Sequence, residues 1–545
     1  MRFRLLALLL FFILLYSALA FKIYDLQVTR GNYYTARSES QSRLAGFLAA
    51  KRGNIYFTDK NNNVIPAAIN KKFPVIFSIP KEISDPAGAA RQVAQALDLN
   101  EEKLVFSFSK PSDPYEPILK KATEEQVEKI RQLNLPGIYI DQEDSRFYPF
   151  DGLAAQVLGF LAPTAENSEI TGKYGIEELF DQTLSGRIGK LEKDKITPPV
   201  HGENIILSLD PNIQTRAEDI LNNLIEKFNA EGGSVIVQDP KTGKILALGN
   251  YPSFNPNNYS EFKLSNFSNP SAQAIYEPGS VFKIITMAAG IDSNKIAPDT
   301  TYTDTGSVTL NGRTMKNWDL VKHGPYGRVT MTEVIERSIN TGAVFVQRQT
   351  GKDIFYKYVS DFGFSQPTGI ELPGEVAGDL RNLKSSFRDI NFATASFGQG
   401  VAVTPLGLIR AFSGIANGGV MLQPTILADH EPKIFRRAIS SETAKKLTDM
   451  MVSAVRKAQI AQIPKYDIAG KTGTAQIPDL TRGGYLEKFI HTYIGFAPAY
   501  NPRFVILLKL DKPQAELAGL TVVPAFRELA EFILNYYNIP PDHIE

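Results

Sequence analysis

Cysteine is absent from all 545 residues of the chain. This absence excludes disulfide frameworks, thiolate zinc sites, iron–sulfur ligation and a cysteine nucleophile. Histidine is scarce, and its five copies are scattered with no pair at helical spacing. Excess charge is missing too: 59 Lys and Arg stand against 58 Asp and Glu, so the net charge of +1 gives no reason to expect nucleic acid as a partner. Any nucleophile must therefore be another type of residue.

The rest of the composition is that of an ordinary globular protein, with 43% hydrophobic and 21% charged residues at a length that suggests two to four domains. The N-terminus carries an uninterrupted apolar run of 17 residues, Leu5–Phe21, preceded by Arg2 and Arg4. A helix needs about 17–25 such residues to cross a bilayer, and preceding positive charges keep the N-terminus in the cytoplasm. The run predicts an uncleaved single-pass anchor with the remaining chain exported. A cleaved signal peptide is the alternative, because Ala18-Leu19-Ala20 fits a small-x-small site.

Turn residues and charge divide the chain into three predicted parts: the cytoplasmic tip and membrane anchor, residues 1–22; a mixed domain, 23–202; and a larger domain, 203–545. The second boundary follows from the charged stretch Gly189–Gly202, which contains Pro198-Pro199. Strands and amphipathic helices mix in the last part, which predicts helices on a mostly antiparallel sheet in a multidomain α+β or α/β protein.

Several individual elements are predicted from periodicity and turn residues. The predicted helices and strands are a hairpin of residues 52–56 with 64–65, helices at 82–98, 122–133, 213–228 and 524–537, strands at 137–140, 204–209 and 504–510, and a hairpin over 234–248 that turns at 239–243.

A serine followed three residues later by lysine can become nucleophilic without histidine, and this pattern occurs four times. The four pairs are Ser78–Lys81, Ser107–Lys110, Ser260–Lys263 and Ser280–Lys283. The first two pairs lie in strand-like sequence, which would turn serine and lysine to opposite faces, and the third lies in a loop rich in Asn and Pro. Only Ser280 opens an apolar, and therefore buried, helix.

On that helix the Ser280 hydroxyl and the Lys283 amine would share one face within a turn. Burial and the positive helix N-terminus both disfavour the ammonium form of Lys283, and a neutral amine can accept the serine proton. Taken alone, a helix cap for Ser280 and a surface lysine at 283 explain the pair better. The companion motifs decide between the two interpretations.

Two further motifs follow in order. Ser338-Ile339-Asn340 ends a helical run, where hydroxyl and amide could project into a cleft, and Lys471-Thr472-Gly473-Thr474 reads as an extended segment. Gly473 lacks a side chain, so another backbone could lie alongside as in strand addition, while Lys471, Thr472 and Thr474 offer a charge and hydroxyls for a carboxylate. Earlier copies of both patterns, Ser253–Asn255 and residues 241–243, fit a loop and a hairpin turn.

In this order the three motifs resemble those of penicillin-binding proteins and serine β-lactamases, and the surrounding sequence is closest to class B penicillin-binding proteins. The additional similar segments are Tyr276–Gly279, Asn317-Trp318, Gly369–Glu375, Phe397–Gly400 with Thr404-Pro405, His491–Pro498, and upstream Arg52–Ile55, Arg146–Pro149, Ala154–Phe160 and Gly175–Glu177. The likeness spans essentially the whole chain. Two departures stand out: Lys51-Arg52-Gly53 replaces the usual Pro-Arg-Gly, and Ala518–Pro524 replaces the usual Gly-Gly and Ala-Ala-Pro.

The resemblance implies a peptidoglycan D,D-transpeptidase with a non-catalytic, elongated pedestal (dimerisation-like) domain at 23–202 and a penicillin-binding domain at 203–545. It implies Ser280 as nucleophile, Lys283 as proton acceptor, Ser338 as proton relay, and Asn340 holding Lys283 or the substrate amide. Lys471, Thr472 and Thr474 would bind the terminal carboxylate, with Gly473 in the same substrate-binding strand, and the backbone N–H groups of Ser280 and Thr474 would form the oxyanion hole. No metal or organic cofactor is needed.

The implied partners are D-alanyl-D-alanine stem peptides, β-lactams that acylate Ser280, and a separate SEDS-type membrane glycosyltransferase with other division or elongation proteins. A hydrolase of the carboxypeptidase or β-lactamase type and a non-catalytic β-lactam sensor stay open as alternatives. The anchor and pedestal argue against a free hydrolase, and the complete motif set argues against lost chemistry. A second, glycan-polymerising activity is disfavoured because no acidic helical block precedes residue 200.

Overall fold

The computed structural model describes residues 12, 15–17, 19, 22, 50–110, 115–164, 169–192, 195–384, 388–479 and 481–543. The chain separates into two compact units, residues 54–181 with 204–545, and residues 1–53 with 182–203. The domain boundary at residue 203 stays a prediction.

Most of the anchor predicted at residues 5–21 lies outside the described residues. Phe12, Leu15, Tyr16, Ser17 and Leu19 are described, and all five are helical. Among the described residues, no helix combines the length and the apolar character that a membrane span requires.

Between residues 54 and 206, the described part of the chain forms nine strands and six α-helices. The strands are β1 (Ile55–Thr58), β2 (Val64–Ser78), β3 (Glu116–Leu119), β4 (Ile138–Phe147), β5 (Phe160–Pro163), β6 (Ile170–Lys173), β7 (Lys190–Glu192), β8 (Lys195–Thr197) and β9 (Ile205–Ile206). The helices are α1 (Pro86–Leu97), α2 (Glu101–Phe108), α3 (Glu124–Leu133), α4 (Ala155–Leu158), α5 (Gly175–Leu179) and α6 (Asp181–Ser185). The sheet runs β3-β2-β1-β9, and β4 pairs with the long strand β2. Only the short β1–β9 pair of this sheet is parallel within the described residues.

The remaining strands and helices of the described residues lie in the larger C-terminal region, residues 207–543. Its strands are β10 (Gly232–Gln238), β11 (Ile245–Tyr251), β12 (Thr301–Asp304), β13 (Ser307–Leu310), β14 (Arg313–Lys316), β15 (Gly327–Thr330), β16 (Val420–Leu422), β17 (Ile434–Arg437), β18 (Ala469–Pro478), β19 (Tyr485–Ala497) and β20 (Phe504–Asp511). Its helices are α7 (Pro211–Phe228), α8 (Pro270–Gln273), α9 (Lys283–Asp292), α10 (Leu320–His323), α11 (Met331–Glu336), α12 (Asn340–Thr350), α13 (Lys352–Asp361), α14 (Arg381–Lys384), α15 (Asp389–Ala395), α16 (Pro405–Ala416), α17 (Ser441–Ala458) and α18 (Val522–Tyr536).

The centre of this region is an antiparallel sheet in the order β11-β10-β20-β19-β18. Seven of the eight residues of β20 are buried, as expected for a central strand covered on both faces. Apolar side chains of α7 and α18 pack with this sheet in one hydrophobic core. The last strand, β18, lies at the edge of the sheet and carries the Lys471-Thr472-Gly473-Thr474 motif.

Local capping explains where α7 begins and ends. The Asp210 side chain accepts hydrogen bonds from the N–H groups of Asn212 and Ile213, and Pro211 occupies the first turn. Asn229 ends the helix in the left-handed conformation. The helix predicted at 213–228 is therefore confirmed and starts two residues earlier. The two predicted hairpins, the helix at 122–133 and the final strand and helix are also present, with ends that differ by a few residues.

Three predictions differ from the structure. Ser107 lies in helix α2 and not in a strand, because the Asn100 side chain caps that helix by accepting from Lys103 N–H. The helix predicted at 82–98 begins only at Pro86, after a separate 3₁₀ turn, Pro80–Glu82. The strand predicted at 204–209 shrinks to β9, since the N–H of Ser208 turns to the carbonyl of Ile426.

Candidate active site

Ser280 lies in a 3₁₀ turn, Gly279–Phe282, that leads directly into α9. Gly279 has φ +60°, a left-handed conformation that favours glycine. A Cβ at this position would also lie 2.9 Å from the Cβ of Ala475 on β18. The turn therefore sits tightly against the edge strand, and Ser280 is half-buried at the wall of a cleft.

Lys283 is the first residue of α9 and is completely buried. Its Nζ lies 3.0 Å from Ser280 Oγ, as the sequence pattern predicts for two residues on one helical face. Burial holds the pKa of Lys283 well below its usual range, the charge of Lys471 lowers it further, and the carboxylate of Asp319 partly opposes both effects. The lowered pKa favours the neutral form of the amine beside the serine hydroxyl, as the predicted role of proton acceptor requires.

Ser338 lies between α11 and α12 in a left-handed conformation, with φ +56°. This backbone brings both its carbonyl and its hydroxyl to the buried amines. Lys283 Nζ donates to the Ser338 carbonyl and lies 3.2 Å from Ser338 Oγ. Lys471 Nζ donates to the same hydroxyl oxygen at 2.9 Å. The Ser338 hydroxyl thus lies between two lysines.

Lys471 reaches this point from the edge strand β18 and is only 3% exposed. Burial lowers the pKa of Lys471 to about 7. Lys283 and Lys471, both with lowered pKa values, contact the Ser338 hydroxyl. This arrangement offers a short path for a proton from Ser280 through Lys283 to Ser338.

Gly473 accommodates the nucleophile turn. A Cβ at 473 would lie 2.9 Å from the carbonyl oxygen of Pro278 and 3.1 Å from a methyl group of Val281. The backbone that lies against Gly473 is therefore this protein's own turn. Thr474 faces the other way, where its Oγ1 accepts a hydrogen bond from the N–H of Ala518 at 3.2 Å.

Asn340, the first residue of α12, lines the cleft, and its Nδ2 donates to the carbonyl of Lys316 at 2.9 Å. Lys283 is held by Ser338, and no hydrogen bond between Asn340 and Lys283 occurs among the described residues. A contact of Asn340 with a substrate amide stays a prediction.

The start of α12 rests on a buried polar cluster that sequence reasoning missed in part. The Thr341 hydroxyl donates to Asp304 Oδ1 at 2.6 Å, and the Asn317 amide donates to both oxygens of Asp304 at 3.0 and 3.1 Å. In the sequence, Asn317 stands out only as the neighbour of the single tryptophan, and nothing in the local sequence marks Asp304. Because the three residues come from separate segments, only the fold reveals the cluster.

Asp319 is a second buried residue of the cleft that the sequence motifs do not include. It lines the cleft at 3% exposure, and its Oδ2 accepts from the hydroxyl of Tyr326. The guanidinium of Arg337, next to Ser338, stacks 4.8 Å from the Tyr326 ring centre. The only signal in the sequence is its position directly after Asn317-Trp318, and its burial in the structure makes it a candidate site residue.

The cleft has a volume of about 1150 Å³ and is lined by six of the predicted site residues. The lining predicted residues are Ser280, Ser338, Asn340, Lys471, Thr472 and Thr474. Lys283 and Gly473 are buried behind this surface. In the earlier motif copy at 241–243, the Thr242 hydroxyl bonds Asp239 within a hairpin turn, as predicted.

Comparison with known proteins agrees with this geometry. Residues 233–531 match the family model described as "Penicillin binding protein transpeptidase domain", and residues 47–203 match "Penicillin-binding Protein dimerisation domain". The chain is 32% identical to "Stage V sporulation protein D" of Bacillus subtilis, covering 98% of this chain and 86% of the relative. It is 30% identical to "Peptidoglycan D,D-transpeptidase FtsI" of Escherichia coli, covering 96% and 91%.

Solved structures give the same result for the fold. A peptidoglycan synthetase from Bifidobacterium adolescentis has 26% identity and a TM-score of 0.68, covering 91% of this chain and 97% of that one. Penicillin binding protein 3 from Mycobacterium tuberculosis, complexed with aztreonam, has 25% identity and a TM-score of 0.71, covering 90% and 97%.

The chain therefore belongs to the penicillin-binding protein transpeptidases, enzymes of the serine acyltransferase type. With its dimerisation domain ahead of the transpeptidase domain, it is a class B penicillin-binding protein.

Proposed function

We propose that this protein is a peptidoglycan D,D-transpeptidase in which Ser280 and Lys283 carry out acylation. Ser280 Oγ attacks the carbonyl between the two terminal D-alanines of a stem peptide, and Lys283 accepts the hydroxyl proton. The new Oγ–carbon ester bond replaces the peptide C–N bond, and the leaving D-alanine amine takes up a proton. An amine of a neighbouring stem peptide then attacks the ester, forms the cross-link and frees Ser280.

The observation that carries this proposal is the set of partners around Lys283. A neutral amine has two N–H donors and one lone pair. Nζ lies 3.0 Å from Ser280 Oγ and also contacts the carbonyl and the hydroxyl of Ser338. Because burial favours the uncharged form of this amine, its lone pair can accept the Ser280 proton while its N–H groups bond Ser338.

Ser338 would pass the proton on to the leaving amine, and the contacts of its hydroxyl with both Lys283 and Lys471 support this role. We assign Lys471, Thr472 and Thr474 to the terminal carboxylate of the donor peptide. The backbone N–H groups of Ser280 and Thr474 would bind the developing oxyanion, and the position of β18 at the sheet edge supports this role because an edge strand has N–H groups without a strand partner.

The proposed function also implies a location and partners for the protein. The apolar run at 5–21 would anchor the chain in the cytoplasmic membrane with the catalytic domain outside the cytoplasm. A SEDS-type glycosyltransferase would supply glycan strands, and β-lactams would acylate Ser280 because they mimic the D-alanyl terminus. The work of the enzyme lies in cell wall synthesis during division or elongation.

Labelled penicillin tests the proposal on the full-length chain in detergent. The adduct should map to Ser280 by mass spectrometry and should be absent from Ser280→Ala, while Ser260→Ala, an exposed serine in the same Ser-x-x-Lys pattern, should label normally. A label on another residue would refute the assignment.

The fate of the acyl-enzyme ester distinguishes a transferase from a hydrolase. With a stem-peptide donor and an amine acceptor, we expect cross-linked dimer and released D-alanine, and with penicillin a long-lived adduct. Rapid turnover of penicillin with no cross-linked product would instead identify a carboxypeptidase or β-lactamase. No label at all would favour the sensor.

A further inference from the structure

The short connection between β20 and α18 contributes a wall of the active-site cleft. We call residues 516–521 the capping segment; Glu516, Leu517 and Gly519 of this segment line the cleft, and Ala518–Leu520 form a 3₁₀ turn. The segment overlaps the stretch in which the sequence departs from the family's usual Gly-Gly and Ala-Ala-Pro. A role for it must therefore be derived from its contacts in this protein.

The capping segment is held to the sheet at two neighbouring points. Thr474 on β18 and His491 on β19 are directly paired across the antiparallel ladder, so their side chains lie on the same face. Thr474 Oγ1 accepts from the N–H of Ala518 at 3.2 Å, and His491 Nδ1 lies 2.9 Å from Thr521 Oγ1. His491 is completely buried and Thr521 is 1% exposed.

The Thr521 hydroxyl also faces the carbonyl of Ala518 at 3.4 Å, and the Thr521 N–H donates to the same carbonyl at 3.2 Å. Both contacts fix the peptide plane before Gly519 and the turn that starts at Ala518. The buried His491–Thr521 pair therefore positions the turn whose first N–H points at Thr474.

This contact constrains the direction of the Thr474 hydroxyl. A hydroxyl has one hydrogen to donate and two lone pairs to accept with. Because the Ala518 N–H occupies one lone pair, the Thr474 hydrogen points elsewhere, and within the described part of the chain no acceptor takes it. The free direction is the cleft that Thr474 lines.

We infer that the capping segment makes Thr474 a dedicated hydrogen-bond donor for the substrate carboxylate, with Thr521 and His491 as positioning residues. The inference rests on the proposed carboxylate role of Thr474. It predicts that this enzyme selects acyl donors with a free carboxylate through a contact made outside its three motifs.

The test compares two acyl donors: a penicillin, which has the carboxylate, and an uncharged thioester that lacks one. Thr521→Val removes the hydroxyl and keeps the shape. We expect it to slow acylation by penicillin about three- to tenfold, the range for one weakened hydrogen bond, and to leave acylation by the thioester unchanged. Thr521→Ser should restore the penicillin rate. Thr448→Val is the matched control, because this buried hydroxyl bonds only its own helix, at Ala444, among the described residues.

A double-mutant cycle locates the effect. If Thr521 acts through Thr474, Thr521→Val has no further effect in a Thr474→Val background. Equal slowing with both acyl donors, or additive losses in the double variant, would overturn the inference while leaving the proposed function intact. If Thr474→Val itself leaves the penicillin-to-thioester ratio unchanged, the proposed carboxylate role is wrong and the inference falls with it.

Discussion

Lys283 shows at the scale of a single residue how function opposes stability. The amine is fully buried, and burial is the largest cause of its lowered pKa. In the unfolded chain the same lysine is exposed and carries a proton at neutral pH. Because the folded protein disfavours the ammonium form, folding costs free energy at pH values between the lowered folded pKa and the unfolded value.

Replacing this lysine should stabilise the protein and abolish its chemistry. We expect Lys283→Met to prevent penicillin acylation and to raise the free energy of unfolding at pH 7 by about 0.5–2 kcal/mol, because an apolar side chain needs no proton release. Since the unfolded chain binds more protons than the native state, wild-type stability rises with pH toward 10.5, and the advantage of the variant should shrink over the same range. Thermal melts at several pH values measure this, and a less stable variant would contradict the prediction.

The carboxylate of Asp319 should set the acid limit of activity. Its negative charge favours the ammonium form and so raises the pKa of Lys283. Asp319→Asn removes that charge, which lowers the pKa further and keeps the amine neutral in more acidic solution. The acid limb of the pH–rate profile for acylation should therefore move to lower pH. Tyr326→Phe removes the hydroxyl that bonds Asp319 but keeps the charge, so its limb should stay in place; movement to higher pH in Asp319→Asn would refute the assignment.

At the scale of elements, the edge strand β18 serves two neighbours through the alternation of its side chains. Lys471 and Gly473 face the nucleophile turn and Ser338, whereas Thr474 faces the capping segment. One strand therefore sets the distance between the Ser280 turn and the Thr474 hydroxyl.

A side chain at position 473 should push the turn that holds Ser280 away from β18. In Gly473→Ala the new Cβ would meet the Pro278 carbonyl at 2.9 Å, so the turn that holds Ser280 must shift. We expect a stability loss of about 1–3 kcal/mol and at least a tenfold slower acylation. Gly483→Ala, at the tip of the β18–β19 hairpin, is the control: at φ +75° it strains the backbone, but its Cβ has no atom within 4 Å, so it should acylate normally even if it loses some stability. Normal acylation by Gly473→Ala would show that the turn is not held by this contact.

At the scale of the molecule, residues 54–181 and the catalytic region belong to one compact unit. The Ala154 N–H donates to Glu218 of α7 at 2.9 Å, and the Gln156 amide donates to the carbonyls of Pro252 and Asn266. The Phe160 ring stacks on Tyr259 at 4.3 Å. These contacts join the family-like stretch at 154–160 to the transpeptidase region.

A buried ion pair in the N-terminal region should affect stability without affecting catalysis. Arg146 Nε lies 2.7 Å from Glu177 Oε1, with side chains 3% and 0% exposed. Glu177→Gln leaves a buried guanidinium beside a neutral amide and should cost about 3–5 kcal/mol of stability. Penicillin acylation by the folded variant should be unchanged. Glu125→Gln, which breaks an exposed pair with Lys129, should cost under about 1 kcal/mol; an equally small loss at Glu177 would contradict the buried-pair argument.

The sequence by itself determined the features that depend on local spacing. Ser280 and Lys283 meet because three residues make one helical turn, and the α7 and β20 predictions succeed because capping residues and continuous apolar runs act locally. The motif order was enough for the family, since it is a property of the chain alone.

Only the tertiary structure decided which groups surround those motifs. Lys283 is held by Ser338, 55 positions away, the Thr474 hydroxyl is oriented by Ala518, and the Asp304 cluster joins three separate segments. Such contacts depend on packing between distant elements, which no local pattern encodes. The same packing also excludes water from the two lysines, and that exclusion lowers their pKa values.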